Sequence, residues 1–326
     1  MNYSSAIGIC ERIILFLVLM FSTFFCFATD LALAQAGGKA GLREVPVGVP
    51  KGTGSSFEIK ITDGLDDVQD QFSETVRITY RSQANVSEVC TGVLVAPNAI
   101  LTAGHCSCGL PGSYQVRFEK AGQFLPSNVS VLSQNPIRYL GYSCVRPLVQ
   151  QAGRDIALIR IQGGDELIAS YSINLPRIGS VFDAFQNSNI QATVVGFGKT
   201  ETGVFSNRKR FADINFFSYF CSEGFVNGQN NPCAPFREFA LSNFLTNANA
   251  GGAKDSCGGD SGGPVFLKNA GTLEGNVLVG LTSRALLDVP SLPQVFCGGG
   301  GIYSTLNHSD VLNWLSVNNV NFRTTD

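Results

Sequence analysis

Short apolar segments recur along the chain, some alternating with polar residues and some continuous, and turn residues separate them. Residues 76–80, Val-Arg-Ile-Thr-Tyr, alternate as a half-buried strand does. The same kind of pattern predicts strands at 90–96, 99–102, 114–118, 129–132 and 192–198. Helical periodicity is scarce, and the 326 residues include 36 glycines. We therefore expect an all-β protein with many turns.

One stretch departs from this pattern. Residues 255–264 read Asp-Ser-Cys-Gly-Gly-Asp-Ser-Gly-Gly-Pro, with Ser261 near the middle. So much Gly, Ser and Pro excludes a helix or a regular strand. Glycine lets the backbone turn sharply and lets another group approach the N–H groups closely. A surface loop of the same composition is the alternative interpretation.

The first 34 residues have the features of an export signal. Arg12 precedes an apolar run at 13–28, and Ala-Leu-Ala at 32–34 supplies small residues for cleavage. A membrane anchor is the alternative, but the run of roughly 16 residues is shorter than the ~20 that span a bilayer. We expect a secreted protein, extracellular or periplasmic, without membrane contact once the signal is removed. Residues 35–60 indicate a linker or pro-segment.

Eight cysteines remain beyond the predicted signal. Their even number in an exported chain predicts four disulfides, although eight cysteines allow 105 pairings. The Cys-Ser-Cys spacing at 106–108 is wrong for zinc, and we expect neither a metal nor a cofactor. A net charge of −2 gives no reason to expect a nucleic acid partner.

Two residues beside apolar strands are candidates for proton chemistry. His105 follows the predicted strand 99–102 on a corner of small residues, and it is one of two histidines in the chain. Asp155 precedes the apolar residues 156–161, so its carboxylate is expected to be buried and to need a partner. That partner is either Arg154 or His105. A purely structural histidine is the alternative for His105.

Three motifs thus occur in the order His, Asp, Ser: Thr-Ala-Gly-His-Cys at 102–106, Asp-Ile-Ala-Leu at 155–158 and Gly-Asp-Ser-Gly-Gly-Pro at 259–264. Over residues 61–318 the chain resembles the trypsin/chymotrypsin family of serine endopeptidases. The resemblance implies two six-stranded antiparallel β-barrels packed together, with a short C-terminal helix. The expected bounds are about 61–178 and 179–308 for the barrels, 309–318 for the helix and 319–326 for a tail.

The resemblance also implies a role for each residue of the motifs. Ser261 would be the nucleophile, and His105 would be the base that takes its proton. Asp155 would hold the imidazole in the useful tautomer and stabilise its charged form. The backbone N–H groups of Gly259 and Ser261 would form the oxyanion hole.

A zymogen is implied in the same way. Lys60 would be the residue after which an activating protease cuts, and Ile61 would become the new N-terminus. The freed amino group would pair with Asp260 beside the nucleophile and shape the oxyanion loop. The uncut protein would therefore be nearly inactive. From the residues alone, a Lys-Ile pair could equally occur by chance.

The resemblance places Asp255 at the base of the specificity pocket, where a buried carboxylate favours Arg or Lys in the substrate. An exposed loop acid is the alternative. Gly301 would line the same pocket, and Ser283 would hydrogen-bond the catalytic Asp beside the substrate site. The usual Ser-Trp-Gly is replaced by Ser283-Arg284-Ala285. Arg284 is expected to put a cation in place of an aromatic wall, and Ala285 to narrow the pocket mouth.

Disulfide pairs follow from the resemblance as well. It implies Cys90–Cys106, Cys257–Cys297 and, with altered spacing, Cys221–Cys233. Cys108–Cys144 would remain as an additional bridge. Trp314 in the terminal helix is expected to serve packing.

The predicted function is a secreted serine endopeptidase that acts on polypeptides after Arg or Lys, as a monomer open to protein protease inhibitors. A catalytically inactive homologue that binds other proteins is the first alternative. An α/β-hydrolase is the second, with Ser261, Asp288 and His308 in the order that its nucleophile elbow requires. The Gly-rich loop before Ser261 and the Gly-Pro-Val-Phe after it do not fit the strand and helix of an elbow.

Overall fold

The computed structural model describes residues 61, 64–126, 130–132, 135–186, 191–200, 204–221, 233–243, 254–267, 276–286, 297 and 299–325. The predicted export signal and pro-segment, residues 1–60, lie outside this part of the chain, and so does Asp288. Within it, the longest apolar helices fall short of the length needed to cross a membrane.

The described residues form strands, three α-helices and 3₁₀ turns at His105–Ser107 and Leu148–Gln151. The helices are α1 (Gly164–Tyr171), α2 (Val181–Gln186) and α3 (Ser309–Val317). The strands are β1 (Leu65–Asp66), β2 (Thr75–Arg81), β3 (Ser87–Ala96), β4 (Ala99–Thr102), β5 (Gln115–Lys120), β6 (Gln123–Phe124), β7 (Ser130–Val131), β8 (Ile137–Arg138), β9 (Ala157–Gln162), β10 (Arg177–Ile178), β11 (Gln191–Gly196), β12 (Arg210–Ser218), β13 (Glu238–Leu241), β14 (Pro264–Leu267), β15 (Val277–Ala285), β16 (Gly301–Thr305) and β17 (Arg323–Thr324). The all-β prediction with a short C-terminal helix is confirmed.

The N-terminal half forms an eight-stranded sheet in the order β6-β5-β2-β3-β4-β9-β7, with β8 paired to β9. Its pairs are antiparallel, with Ile78 opposite Cys90 and Leu101 opposite Leu158. Alternate side chains of β2 are buried, as the period of two predicts, and Val76 and Ile78 are fully inside.

The C-terminal half contains a closed barrel. Strand β14 pairs with both β11 and β15, so β11, β12, β13, β16, β15 and β14 form an antiparallel ring of six. Outside this ring, β1 pairs with β12, β10 pairs in parallel with β15, and β17 pairs with β10. Strands β1 and β10 fall inside the range predicted for the first barrel, and the structure assigns them to the second. Leu65 of β1 pairs with Phe211, and Ile61 before it is buried in the second barrel's core, while Arg177 of β10 pairs with Val277 of β15.

A shared apolar core joins the two sheets. It contains Leu101 and Leu158 from the first sheet and Phe266 and Leu281 from the second. Trp314 of α3 packs in the same cluster and meets Tyr139 edge-on, with ring centroids 5.5 Å apart. Trp314 therefore packs in the core, as expected from the sequence. Because both sheets contribute to this core, loops from the two halves meet along one seam.

Helices α1 and α2 were not expected from the sequence. Each spans eight residues or fewer, which is too short for a 3.6-residue period to stand out. Helix α1 begins where Gly164 packs against Pro97, and a Cβ at Gly164 would lie 1.8 Å from the Pro97 carbonyl oxygen. This helix is therefore specified by a tertiary contact as much as by its own sequence.

Four disulfides lie within the described residues, and they are the pairs that the resemblance implied: Cys90–Cys106, Cys108–Cys144, Cys221–Cys233 and Cys257–Cys297. The first two flank the corner that carries His105. The last one fixes the loop that carries Ser261.

Candidate active site

The pairing of β4 with β9 brings His105 and Asp155 together. These strands are antiparallel, and Thr102 lies opposite Ala157. The residues just after β4 and just before β9 therefore emerge at the same end of the sheet. His105 begins a 3₁₀ turn at this end, and the adjacent Cys106 is fixed by its disulfide.

Asp155 makes three hydrogen bonds at the end of the sheet. Its Oδ1 accepts the backbone N–H of His105 at 2.8 Å, and its Oδ2 lies 2.9 Å from the His105 Nδ1. The Ser283 hydroxyl donates to the same Oδ2 at 2.7 Å. The carboxylate is fully buried, so these bonds replace the water it has lost. Of the two partners considered from the sequence, the structure selects His105.

The two partners shift each other's titration. Burial would lower the pKa of His105, but the charge of Asp155 and the hydrogen bond to it outweigh burial and raise this pKa above its usual value. Burial would raise the pKa of Asp155, and His105 together with Ser283 holds it below the usual value. The pair thus favours an ionised Asp155 behind an imidazole that accepts a proton readily.

The backbone of the Ser261 loop is held against the N-terminal sheet. The carbonyl oxygen of Ser261 accepts the N–H of Thr91 in β3 at 2.9 Å. On the other side, the N–H of Gly262 donates to the carbonyl oxygen of Thr282 in β15 of the C-terminal barrel at 2.7 Å. Gly262 has φ +78°, and a Cβ there would lie 2.1 Å from the Thr102 Oγ1. Only glycine permits this approach. Ser261 therefore lies beside the corner that follows β4 and carries His105.

Thr91 is a positioning residue that sequence reasoning did not identify. Besides its N–H bond to Ser261, its hydroxyl donates to the carbonyl oxygen of Gly259 at 2.9 Å and accepts the N–H of Phe197 at 3.0 Å. Its own carbonyl oxygen accepts the Thr102 hydroxyl at 2.7 Å. The sequence did contain a signal, because Thr91 is a hydroxyl residue in a predicted strand that is otherwise largely apolar. It is fully buried, and a buried hydroxyl needs hydrogen-bond partners.

The Ser261 loop also leaves two N–H groups unused. The N–H groups of Asp260, Gly262 and Gly263 donate to backbone oxygens. Those of Gly259 and Ser261 have no acceptor in the described part of the chain. Gly259 adopts φ +102°, and a Cβ there would meet the Phe205 ring at 2.8 Å. Two free N–H groups separated by one residue can bind an oxyanion.

Asp260 lies fully buried behind the same loop. Its Oδ1 accepts the N–H of Gly198 at 2.6 Å, and its Oδ2 accepts the N–H of Cys257 at 2.8 Å. Burial raises the pKa of Asp260 to about 7, although these two bonds act in the opposite direction. No Lys or Arg among the described residues forms an ion pair with it. Ile61 is also fully buried, and Lys60 lies outside the described residues.

Asp255 and Gly301 lie at neighbouring positions. Asp255 is buried, with 2 % of its surface exposed, so it is not an exposed loop acid. Its Oδ2 accepts the N–H of Gly300 at 3.0 Å. Gly301 follows directly, and a Cβ there would lie 2.5 Å from the Tyr303 hydroxyl oxygen. Ala285, at the exposed end of β15, pairs with Gly301 across the sheet.

Arg284 forms a buried ion pair that the sequence did not indicate. Its side chain does not stand in the cleft as a free cation, since only 7 % of it is exposed. Both terminal nitrogens bind the carboxylate of Glu238, at 2.7 and 2.8 Å. Glu238, in β13, was not singled out from the sequence. An acid in an otherwise apolar four-residue strand was the signal that could have found it.

The structure also bears on the metal expectation and on the hydrolase alternative. Among the described residues, Cys90, His105 and Cys106 are close enough to share an ion, but both sulfurs belong to one disulfide and supply no thiolate. His308 precedes α3 and pairs with Asp310 at 2.8 Å. Ser261 lies in a turn that is followed directly by strand β14 and not by a helix, so the nucleophile elbow is not formed.

Comparison with known proteins gives a consistent result. The family model described as Trypsin matches residues 61–311. Melanization protease 1 of Drosophila melanogaster is 26% identical over 290 residues, covering 81% of this chain and 67% of that protein. CLIP domain-containing serine protease B4 of Anopheles gambiae is 24% identical over 303 residues, covering 87% of this chain and 76% of that protein. Proproteinase E of Bos taurus is 26% identical over 217 residues, covering 63% of this chain and 77% of that protein.

The family model spans more than half of the chain, and its range contains all three motifs, the closed barrel and the His105–Asp155 pair. The chain therefore belongs to the trypsin family of serine proteases.

Proposed function

We propose that this protein is an endopeptidase that cleaves peptide bonds after Arg or Lys through an acyl-enzyme on Ser261. The observation that carries the proposal is the double contact of Asp155 with His105, at 2.8 and 2.9 Å. It orients the imidazole with Nδ1 toward the acid, which leaves Nε2 for the nucleophile.

The chemistry proceeds in two halves. His105 takes the proton of Ser261 as the hydroxyl oxygen attacks the scissile carbonyl, and the oxyanion is bound by the free N–H groups of Gly259 and Ser261. His105 then gives the proton to the departing amine. Water, activated by the same imidazole, hydrolyses the ester and restores the enzyme.

Specificity for basic residues rests on Asp255. A carboxylate that is 2 % exposed gains most from a cation that enters its pocket, and Gly301, next to the Gly300 whose N–H binds Asp255, adds no side chain there. The pair of Ser283 and Ala285 forms one wall of the substrate site, with Ser283 engaged by the triad.

Activation rests on Asp260. In the uncut chain this buried acid has no ion-pair partner among the described residues, and burial raises its pKa to about 7. Cleavage after Lys60 frees the amino group of Ile61, which supplies the missing positive charge. We place the working enzyme outside the cell, as a monomer exposed to polypeptide substrates and protein protease inhibitors.

The test combines three measurements on purified protein. N-terminal sequencing of the mature form is expected to begin at Ile61. A fluorophosphonate reagent should label the cut wild type and leave Ser261→Ala unlabelled. In a panel of peptides that differ only in the residue before the scissile bond, kcat/KM should be higher for Arg and Lys peptides than for Leu and Asp peptides. A folded, cut protein that does not label would instead support the non-catalytic binding protein.

A further inference from the structure

A buried ion pair lies directly behind the candidate triad. Arg284 reaches from β15 to Glu238 in β13, and the guanidinium contacts both carboxylate oxygens, at 2.7 and 2.8 Å. The two side chains are 7 % and 0 % exposed. Charges are seldom buried this completely unless the pair is well matched, and this pair has the bidentate geometry that arginine favours.

Backbone groups hold Glu238 in place. Its Oε1 accepts the N–H of Gly153 at 2.8 Å, and its Oε2 accepts the N–H of Ala234 at 2.8 Å. Each oxygen thus receives one guanidinium N–H and one backbone N–H. Gly153 lies two residues before Asp155, so Glu238 also anchors the segment that carries the triad acid.

The remaining contact of Arg284 sets the direction of a proton. Its Nη1 lies 3.3 Å from the Ser283 hydroxyl oxygen. A guanidinium only donates hydrogen bonds, so the Ser283 oxygen must accept in this contact. The single hydroxyl proton of Ser283 is thereby directed to Asp155, whose Oδ2 is 2.7 Å away.

We propose that Arg284 and Glu238 are positioning residues of the catalytic centre, acting on Asp155 through Ser283 and through the Gly153 segment. The proposal rests on the function proposed above, because it assigns a supporting role for the same triad. Glu238 balances the charge of Arg284, so the guanidinium orients the Ser283 hydroxyl without adding a net charge beside Asp155. Neither residue touches the substrate.

A double-mutant cycle tests this coupling. The variants are Arg284→Lys, Ser283→Ala and the two combined, each cut after residue 60 and checked for a cooperative thermal transition. We measure the rate constant of fluorophosphonate labelling, and kcat and KM on a Lys ester. Each single change should slow labelling and kcat about tenfold, the effect of losing one hydrogen bond to a charged group, with KM unchanged. The combined variant should be no slower than the slower single variant.

A second variant guards against misfolding. Arg284→Gln with Glu238→Gln removes both charges together, which avoids leaving one buried charge unpaired, and should also lower kcat with KM unchanged. The matched control is Arg237→Lys, which alters an ion pair with Asp310 (2.7 Å) that contains neither Ser283 nor Asp155. This control should label at the wild-type rate.

The outcomes separate the two proposals. If the cut wild type is labelled and the rate losses of the two single variants multiply in the combined variant, the coupling is overturned and the protease function stands. Wild-type rates in the paired Gln variant would do the same. A cut, folded wild type that does not label would overturn both.

Discussion

The backbone N–H and the ring Nδ1 of His105 both bind one carboxylate, that of Asp155, at 2.8 and 2.9 Å. The acid therefore fixes the main chain and the ring of the same residue. The backbone contact fixes the carboxylate relative to the main chain, and the Nδ1 contact fixes the ring relative to the carboxylate. Two contacts from one buried carboxylate select one ring orientation and one tautomer.

Asp155→Asn should keep this geometry and lose the tautomer. The amide still accepts the His105 N–H through its oxygen, but its NH₂ group facing Nδ1 would place the imidazole proton on Nε2. We expect kcat to fall by about 10⁴-fold. Steady-state kinetics on a Lys ester measures the loss, and Asp310→Asn, at a partly exposed acid in the first turn of α3, is the control. A loss below about tenfold would argue against a triad.

Activity should depend on the protonation of His105. The base must be neutral to accept the Ser261 proton, and its pKa lies above the usual histidine value because Asp155 outweighs burial. The value of kcat/KM should therefore fall as pH decreases through that raised pKa, reaching its plateau only on the alkaline side. A profile from pH 5 to 9 measures this. A flat rate between pH 8 and pH 5 would contradict the assignment.

Asp260 should make the uncut chain less stable as pH rises. Its folded-state pKa of about 7 lies above the ordinary aspartate value, so between about pH 4 and pH 7 the folded chain keeps a proton that the unfolded chain has released. The free energy of unfolding should thus decrease by about 1.4 kcal/mol per pH unit across this window. Asp260→Asn should remove this contribution, which urea denaturation at pH 4, 6 and 8 would measure.

Glu74 provides the matched control for that experiment. Burial raises its pKa to about 7 as well, so Glu74→Gln should flatten the stability profile in the same direction. Only Asp260→Asn, however, should prevent the gain of activity after cleavage at Lys60. If both variants activate normally, Asp260 is not the partner of the Ile61 amino group.

Asp255→Asn should abolish the preference for basic substrates. The amide can still accept the Gly300 N–H, while the negative charge that would meet Lys or Arg is gone. We expect kcat/KM on Arg and Lys peptides to fall about 10²–10³-fold, as when a buried charge loses its counter-ion, with little change on Leu peptides. Equal losses on all peptides would indicate a folding defect, and no loss would place the specificity pocket elsewhere.

Two glycines with similar backbone angles should differ sharply on substitution. Gly262 (φ +78°) and Gly112 (φ +73°) both have left-handed backbone angles, so replacing either by Ala should cost about 1–2 kcal/mol of stability. A Cβ at Gly112 meets nothing within 4 Å, whereas one at Gly262 would lie 2.1 Å from Thr102 Oγ1. Gly262→Ala should therefore lose more stability and also activity. Equal melting temperatures for the two variants would contradict the close approach.

The triad candidates could be predicted because each lies in a short local motif. His105 follows an apolar strand, Asp155 precedes one, and Ser261 lies in a glycine-rich turn. The strands were equally local, since their period of two is visible within five to ten residues.

The supporting contacts depend on tertiary structure and could not be predicted in this way. Glu238 and Arg284 lie 46 positions apart, and nothing in either local sequence names the other as its partner. The ion pair that neutralises Arg284 was not expected for that reason. The pairing of β1 with the second barrel has the same origin, because two residues carry no periodic signal.

Thr91 belongs to the N-terminal sheet, yet its N–H and its hydroxyl bind the carbonyl oxygens of Ser261 and Gly259. Neither half of the molecule can therefore give the nucleophile loop its final shape by itself. Produced as separate polypeptides, the halves should be inert, and reactivity should return only on reassembly. Because each half shapes the other, only chains that have folded completely should have a reactive Ser261.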